Sequence, residues 1–259
     1  MTRTPFVLST ADAVGWLRTQ PAESVDLLIT DPAYESLEKH RAVGTTTRLK
    51  HSKASSNDWF AIFPNSRFSE LFGEAFRVLK RNTHFYLLCD AETMFIAKPQ
   101  AEEAGFKFWK PLVWDKCTIG MGYHYRARYE FVLFFEKGKR RLNDLGIPDV
   151  LSVPRIRGGY PAEKPAELAE VLIAQSSSPG DAVVDPFMGS GSVGVAALRL
   201  GRRFLGNDLN PEAVAIADKR LRDLGGAASA VAAPSDPARE PGQADLLDGL
   251  FTAHTAHRR

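Results

Sequence analysis

Two short clusters in this chain have residue types and spacing suited to chemistry. The first is Asp185-Pro-Phe-Met-Gly-Ser-Gly191. The apolar run at 182 to 184 ahead of it reads as a buried strand. Pro186 ends that strand, because proline cannot donate to a sheet ladder. Gly189 and Gly191 allow a sharp turn and a close approach to a ligand. The Ala- and Val-rich run 192 to 200 reads as a helix whose free N-terminal amides point at the turn. A second strand, 203 to 206, leads to Asp208, an acid placed to accept both hydroxyls of a ribose. Strand, glycine loop, helix, strand and acid together make half a site for a nucleoside cofactor.

The second cluster is Asp31-Pro-Ala-Tyr34, just past a buried strand at 25 to 30. Open α/β sheets place ligands beyond the carboxyl ends of their strands. Asp-Pro alone is a common turn opener. Here, however, a carboxylate and the carbonyl of Pro32 are two acceptors, which match an amino group with two hydrogens. Tyr34 adds an aromatic face. The set is a receptor for the exocyclic amine of a flipped-out base.

The elements that must position these clusters follow from periodicity. Residues 5 to 8 read as a strand, and Asp12 caps an amphipathic run at 13 to 18. Phe68, Leu71, Phe72, Ala75, Phe76 and Leu79 recur at helical spacing within 66 to 79. A strand at 85 to 89, a helix at 92 to 104 and an antiparallel strand pair at 108 to 114 and 129 to 135 follow. Residues 137 to 160 are basic and irregular. A helix at 164 to 176 has Pro165 in its first turn, and a last helix spans 211 to 224. Strands alternating with helices predict an α/β fold with a mixed, mainly parallel sheet and one antiparallel strand. One catalytic domain over 1 to 224 is expected, then a disordered tail at 225 to 259 rich in Ala, Pro, Gly and Asp, with a short helix at 244 to 251.

Composition narrows the partners. Charged residues make up 25% and apolar residues 44%, with a net charge of +2, so any nucleic-acid surface must be local. Cys89 and Cys117 lack metal-like spacing and suit a reducing compartment. His40, His51, His84 and His124 form no metal-like pattern. No apolar run approaches membrane-spanning length and no signal-like segment opens the chain, which predicts a cytoplasmic protein without membrane or metal.

The ordered series of motifs resembles the beta class of DNA amino-methyltransferases, whose order is circularly permuted, catalytic motif first and cofactor motif last. Asp31 to Tyr34 is similar to that class's Asp-Pro-Pro-Tyr motif, and Phe187 to Gly191 to its Phe-x-Gly-x-Gly motif. Between them, Trp114-x-Lys-x-x-x-Gly-Met-Gly122, with Arg126, Glu130 and Phe134-Phe-Glu-Lys-Gly138, is similar to the stretch near the target base. Tyr160-Pro-Ala-Glu-Lys-Pro165 is similar to a His-Pro-Thr-Glu-Lys-Pro motif. Ala33 stands where the family has a second proline, and Tyr160 and Ala162 where it has His and Thr.

The resemblance implies a Rossmann-like fold, the cofactor S-adenosylmethionine and methylation of double-stranded DNA by base flipping. Asp31, Pro32 and Tyr34 are then the catalytic residues. Asp185, Phe187, Gly189, Ser190, Gly191 and Asp208 are the cofactor residues. Asp12 binds the cofactor's adenine or caps its helix, and Lys164 positions the cofactor or sits at an exposed helix start. Aspartate at position 31 favours the N6 amine of adenine over the N4 amine of cytosine. A catalytically weak SAM-binding DNA-binding protein is the alternative that Ala33 suggests. Candidate phosphate or base contacts are Lys39, Arg41, Arg48, Lys50 and Lys53 in segment 35 to 58, and Arg126, Arg140, Arg141, Arg155 and Arg157 further on. The region available for sequence reading is short, so it is shared with segment 35 to 58 or with a second subunit in a homodimer.

Overall fold

A computed structural model describes residues 5–36, 61–120, 125–158, 160 and 162–228. Its centre is one eight-stranded sheet in the order β1-β8-β7-β2-β3-β5-β4-β6. The strands are β1 (Phe6–Thr10), β2 (Val25–Thr30), β3 (Leu79–Cys89), β4 (Lys107–Asp115), β5 (Tyr129–Lys137), β6 (Val150–Ser152), β7 (Ala182–Asp185) and β8 (Arg203–Asp208). The helices are α1 (Ala13–Thr19), α2 (Phe68–Val78), α3 (Ala91–Glu103), α4 (Ala166–Ser176), α5 (Ser192–Arg199) and α6 (Pro211–Ala228). All neighbouring strands run parallel except β5, which is antiparallel to both β3 and β4. The expected mixed sheet with one reversed strand is therefore present.

The strand pleat sorts the core into two layers. Leu28 packs on one face with Phe85, Val14, Leu17, Phe68, Leu71 and Phe72, beneath α1, α2 and α3. Leu27 and Ile29 point to the other face, with Tyr86, Leu168, Leu172, Val195 and Leu221 of α4, α5 and α6. The 3.6-residue spacing of Phe68, Leu71, Phe72, Ala75 and Val78 is why α2 forms and why that face is buried. Asp90 starts α3 by accepting from the Thr93 backbone N–H at 2.8 Å.

Three segments depart from the sequence expectations. The third strand begins at Leu79 rather than 85, because it continues directly out of α2, pairs Leu79 with Val25 of β2, and from Thr83 on pairs with β5. Segment 137 to 160 contains β6, which adds to the β4 edge by pairing Val113 with Val150; three residues are too few to show a period in sequence. The last helix continues past 224 to Ala228. The expected tail beyond 228, its short helix and most of segment 35 to 58 lie outside the described residues.

The chain connects β7 to β8 on one side and β2 to β3 on the other. The strand order therefore switches direction between β7 and β2, which pair through Leu27–Val183 and Leu28–Val184. Open sheets bind ligands in the crevice such a switch point leaves.

Candidate active site

A cavity of about 1000 Å³ opens above that switch point, and the two sequence clusters share it. Asp31, Pro32, Ala33 and Tyr34 leave β2 into one end; Asp185 to Ser190 and Asp208 line the other.

At the β7–β8 end, Gly189 and Gly191 both have positive φ, +52° and +82°. Asp208 accepts from the backbone N–H of Gly189 at 2.9 Å and of Asn210 at 2.8 Å, one on each oxygen. Each oxygen keeps a lone pair for a ribose hydroxyl. Burial raises the Asp208 carboxyl above its ordinary range. Asp185 is buried and accepts on one oxygen from Thr30 Oγ1 and the Phe187 N–H, both at 3.0 Å. Burial, reinforced by the charges of Asp31 and Asp208, pushes its carboxyl up to about 8. Ser190 accepts from Arg220 through its carbonyl and hydroxyl, and Arg220 also pairs with Glu163 at 2.8 Å. Phe187 lies edge-on against Phe63, 5.0 Å between centroids, and joins the two halves of the cavity. Gly191 serves packing: a side chain there would come within 2.9 Å of Ala217.

Asp12 is the N-cap of α1, accepting from the Gly15 N–H at 3.0 Å. Its carboxylate also receives both arms of the Arg67 guanidinium at 2.7 and 2.8 Å, which holds its carboxyl down at about 2. Asp12 lines the cavity, so the cap and the wall are the same residue.

At the β2 end, the Ala33 carbonyl accepts from the Phe63 N–H at 2.7 Å, and this bridge fixes the loop in place of a second proline. Tyr34 lines the cavity, yet it is only 7% exposed because most of its ring packs in the core with Phe63. Asp31 Oδ2 lies 2.5 Å from Lys164 Nζ. Lys164 is thus brought to Asp31, in the segment ahead of α4 rather than at a helix start. Glu130 Oε2 is 3.4 Å from the same ammonium, and Glu130 Oε1 is 2.5 Å from Lys116. Burial raises the Asp31 carboxyl, offset in part by Lys164. Burial acts the same way on Glu130, but its two lysines outweigh it and hold that carboxyl below its usual range.

The basic residues separate. Thr83 pairs with Lys137 and Cys89 with Phe131, so at about 3.3 Å per residue the two ends of that ladder are about 20 Å apart. Asp31 lies at the Cys89 end, since Thr30 pairs with Leu87. Arg140 lies beyond the other end: its N–H donates to Glu136 and its carbonyl faces His84. Arg140 and Arg141 are therefore not brought to the cavity mouth, because β5 carries the chain away from it. Arg155 and Arg157 lie at the same end of the sheet as Asp31: the Arg155 N–H donates to the Lys116 carbonyl just past β4 and Arg157 to Thr118 Oγ1, each at 3.4 Å. Arg126 is exposed in the β4–β5 connection at the same end. Lys39, Arg41, Arg48, Lys50 and Lys53 lie outside the described residues.

Reading the sequence missed Arg67, Phe63, Glu163, Arg220 and the Lys116–Glu130 pair. Arg67 and Phe63 become visible only once α2 and its leading turn pack beside α1. Lys116 and Glu130 lay in a motif region already noted, without a role.

An acidic cavity at a switch point, with Asp208 at one end and Asp31 at the other, fits an α/β group-transfer enzyme with a nucleoside cofactor. A protein family described as "DNA methylase", the N6/N4 methyltransferases, matches residues 25–219, and the chain belongs to it. Relatives include the DNA adenine methyltransferase YhdJ of Escherichia coli K12, 28% identical over 249 residues, covering 81% of this chain and 80% of that protein. Another is the type II methyltransferase M2.DpnII of Streptococcus pneumoniae, 28% identical over 242 residues and covering 83% and 89%. Among solved structures, the M1.HpyAVI–SAM complex aligns with a TM-score of 0.61 at 23% identity, covering 83% of this chain and 99% of that one. The cytosine-N4-specific PvuII DNA methyltransferase aligns at 0.64 with 18% identity, covering 87% and 94%. No helix among the described residues is long and apolar enough to cross a membrane. No group of three or more His, Cys, Asp or Glu among them is placed to hold a metal ion.

Proposed function

We propose that this DNA methyltransferase transfers the methyl group of S-adenosylmethionine to the N6 amine of adenine in double-stranded DNA, with Asp31 and the Pro32 carbonyl as the amine's acceptors. The observation that carries this reading is the single cavity shared by the two clusters. Its charges fit the cofactor. Asp12, Asp31, Glu130, Glu163, Asp208 and Glu212 line it, against Arg67 and Lys164, and Asp185 can ionise beside a bound cation. Such walls suit a ligand bearing a sulfonium and an ammonium, and repel phosphates. The DNA backbone therefore stays at the rim, and only a base enters.

Asp208 takes the ribose hydroxyls. Asp185, Phe187, Gly189 and Ser190 line the methionine end, and Gly191 shapes the turn. The bound cofactor supplies an already activated methyl group. An aromatic amine is a poor nucleophile because its lone pair is delocalised. Hydrogen bonds to Asp31 and to the Pro32 carbonyl draw the nitrogen toward tetrahedral geometry, and the cavity face of Tyr34 holds the base in line. Arg126, Arg155 and Arg157 contact DNA at the rim, and segment 35 to 58 or a second subunit completes the grip.

The test is transfer of labelled methyl to unmethylated genomic DNA, followed by chromatography of the nucleosides. N6-methyladenine is expected; N4-methylcytosine would reassign the base. Asp31→Ala should abolish transfer while the protein still binds S-adenosylmethionine by calorimetry. Turnover above about a tenth of wild type would remove Asp31 from the mechanism, since losing a group that acts only in the transition state costs far more than tenfold.

A further inference from the structure

Asp31 stands at the end of a chain of alternating charges. Lys116, just past β4, pairs with Glu130 Oε1 at 2.5 Å. Glu130, near the start of β5, places Oε2 3.4 Å from Lys164 Nζ. Lys164 is 2.5 Å from Asp31 Oδ2. Because β5 is reversed, its first residues lie at the same end of the sheet as the last residues of β2 and β4. Glu130 Oε2 is buried and makes no hydrogen bond among the described residues, so its hold on Lys164 is an unsaturated charge contact. One ammonium is thus divided between two carboxylates.

We propose that Glu130, itself set by Lys116, is a positioning residue for methyl transfer: it shares Lys164 with Asp31 and so leaves Asp31 able to accept the amine's hydrogens. The proposal rests on the reading of Asp31 as amine acceptor. A carboxylate bound wholly to one ammonium is a poorer acceptor for anything else. A buried carboxylate with no cation takes up a proton. Sharing Lys164 avoids both extremes. The other titratable groups facing Asp31 are Tyr34 in its own loop, Cys89 at the end of β3, and Asp185 of β7. None of them is paired with Lys164 among the described residues.

The test is single-turnover methyl transfer to unmethylated genomic DNA against pH, with S-adenosylmethionine binding measured in parallel. Glu130→Gln keeps the shape and removes the charge. Its rate should fall about tenfold or more, and the acid limb of its pH profile should move down by about half a unit or more, because Asp31 loses a like charge and gains Lys164 undivided. Lys116→Gln should move the limb up, because Glu130 then draws Lys164 away from Asp31. Lys116→Arg should restore the wild-type limb. Shifts in opposite directions support the proposal. Limbs that stay in place while rates fall, or that move together, would show a merely structural role and overturn it. Should Glu130→Gln lose cofactor binding, the Lys116 pair decides alone, and an unmoved limb in Lys116→Gln overturns the proposal. The Asp31→Ala result is read separately: substantial turnover there removes the underlying reading itself.

Discussion

Asp185 is a carboxyl kept neutral by its surroundings. It is buried at the end of β7, with both its hydrogen bonds on one oxygen and its pKa pushed up to about 8 by burial. In the unfolded chain it ionises near 3.8, so between about pH 4 and 8 the unfolded state binds fewer protons than the folded one. Its contribution to stability therefore falls as pH rises through that window and levels off above about 8. A cationic cofactor reverses the local preference, because a sulfonium beside the carboxyl favours the ionised form. Binding should then release up to about one proton at pH 7, and affinity should rise from about pH 6 to 8 and flatten beyond. Calorimetry in two buffers of different ionisation heat measures that release. Asp185→Asn keeps an acceptor for Thr30 and Phe187, and should bind with no proton release and a flat pH dependence.

At the scale of elements, the two glycines of the turn into α5 do different work. Gly191 has φ +82° and no room, because a methyl group there would sit 2.9 Å from Ala217. Gly191→Ala should cost about 2–4 kcal/mol, combining left-handed strain with overpacking against α6. Gly189 has φ +52°, and among the described residues a side chain there would meet only Tyr160, at 3.6 Å. Gly189→Ala should cost about 1–2 kcal/mol of stability and weaken the cofactor more than the fold. Thermal melts with and without S-adenosylmethionine separate the two: Gly191→Ala lowers both curves alike, and Gly189→Ala mainly shrinks the ligand-induced shift. The order of elements around these glycines was legible in sequence, because strand, turn and helix each carry a local signal. The strands flanking Asp31 and the helical stripe of α2 were legible for the same reason. What was not legible depends on partners distant in sequence. Residues 150 to 152 become a strand only because the edge of β4 offers them a ladder. Lys164 reads as a helix-start cation until the fold sets it beside Asp31 and Glu130.

The whole molecule divides what looked in sequence like one basic run. Its beginning, Arg140 and Arg141, lies at the amino end of the parallel strands, and its end, Arg155 and Arg157, lies at the opposite end, against the segment just past β4. Arg155→Ala and Arg157→Ala should each lower the slope of log affinity against log salt by about one, while Arg141→Ala leaves it unchanged. Fluorescence anisotropy with a duplex probe at several salt concentrations checks this; an equal effect of Arg141→Ala would place the DNA elsewhere. The pairing of β2 with β7 has a further consequence at this scale. Thr30 and Asp185, hydrogen-bonded across that seam, are 155 residues apart in the chain. The Asp31 half of the cavity is thus synthesised long before the Asp185 half, and the cavity exists only when both are in place. A chain that ends before Ala182 lacks the second half altogether. A translation product that ends before Asp185 should therefore carry no methylating activity, so that the enzyme gains its activity only once the central seam has closed.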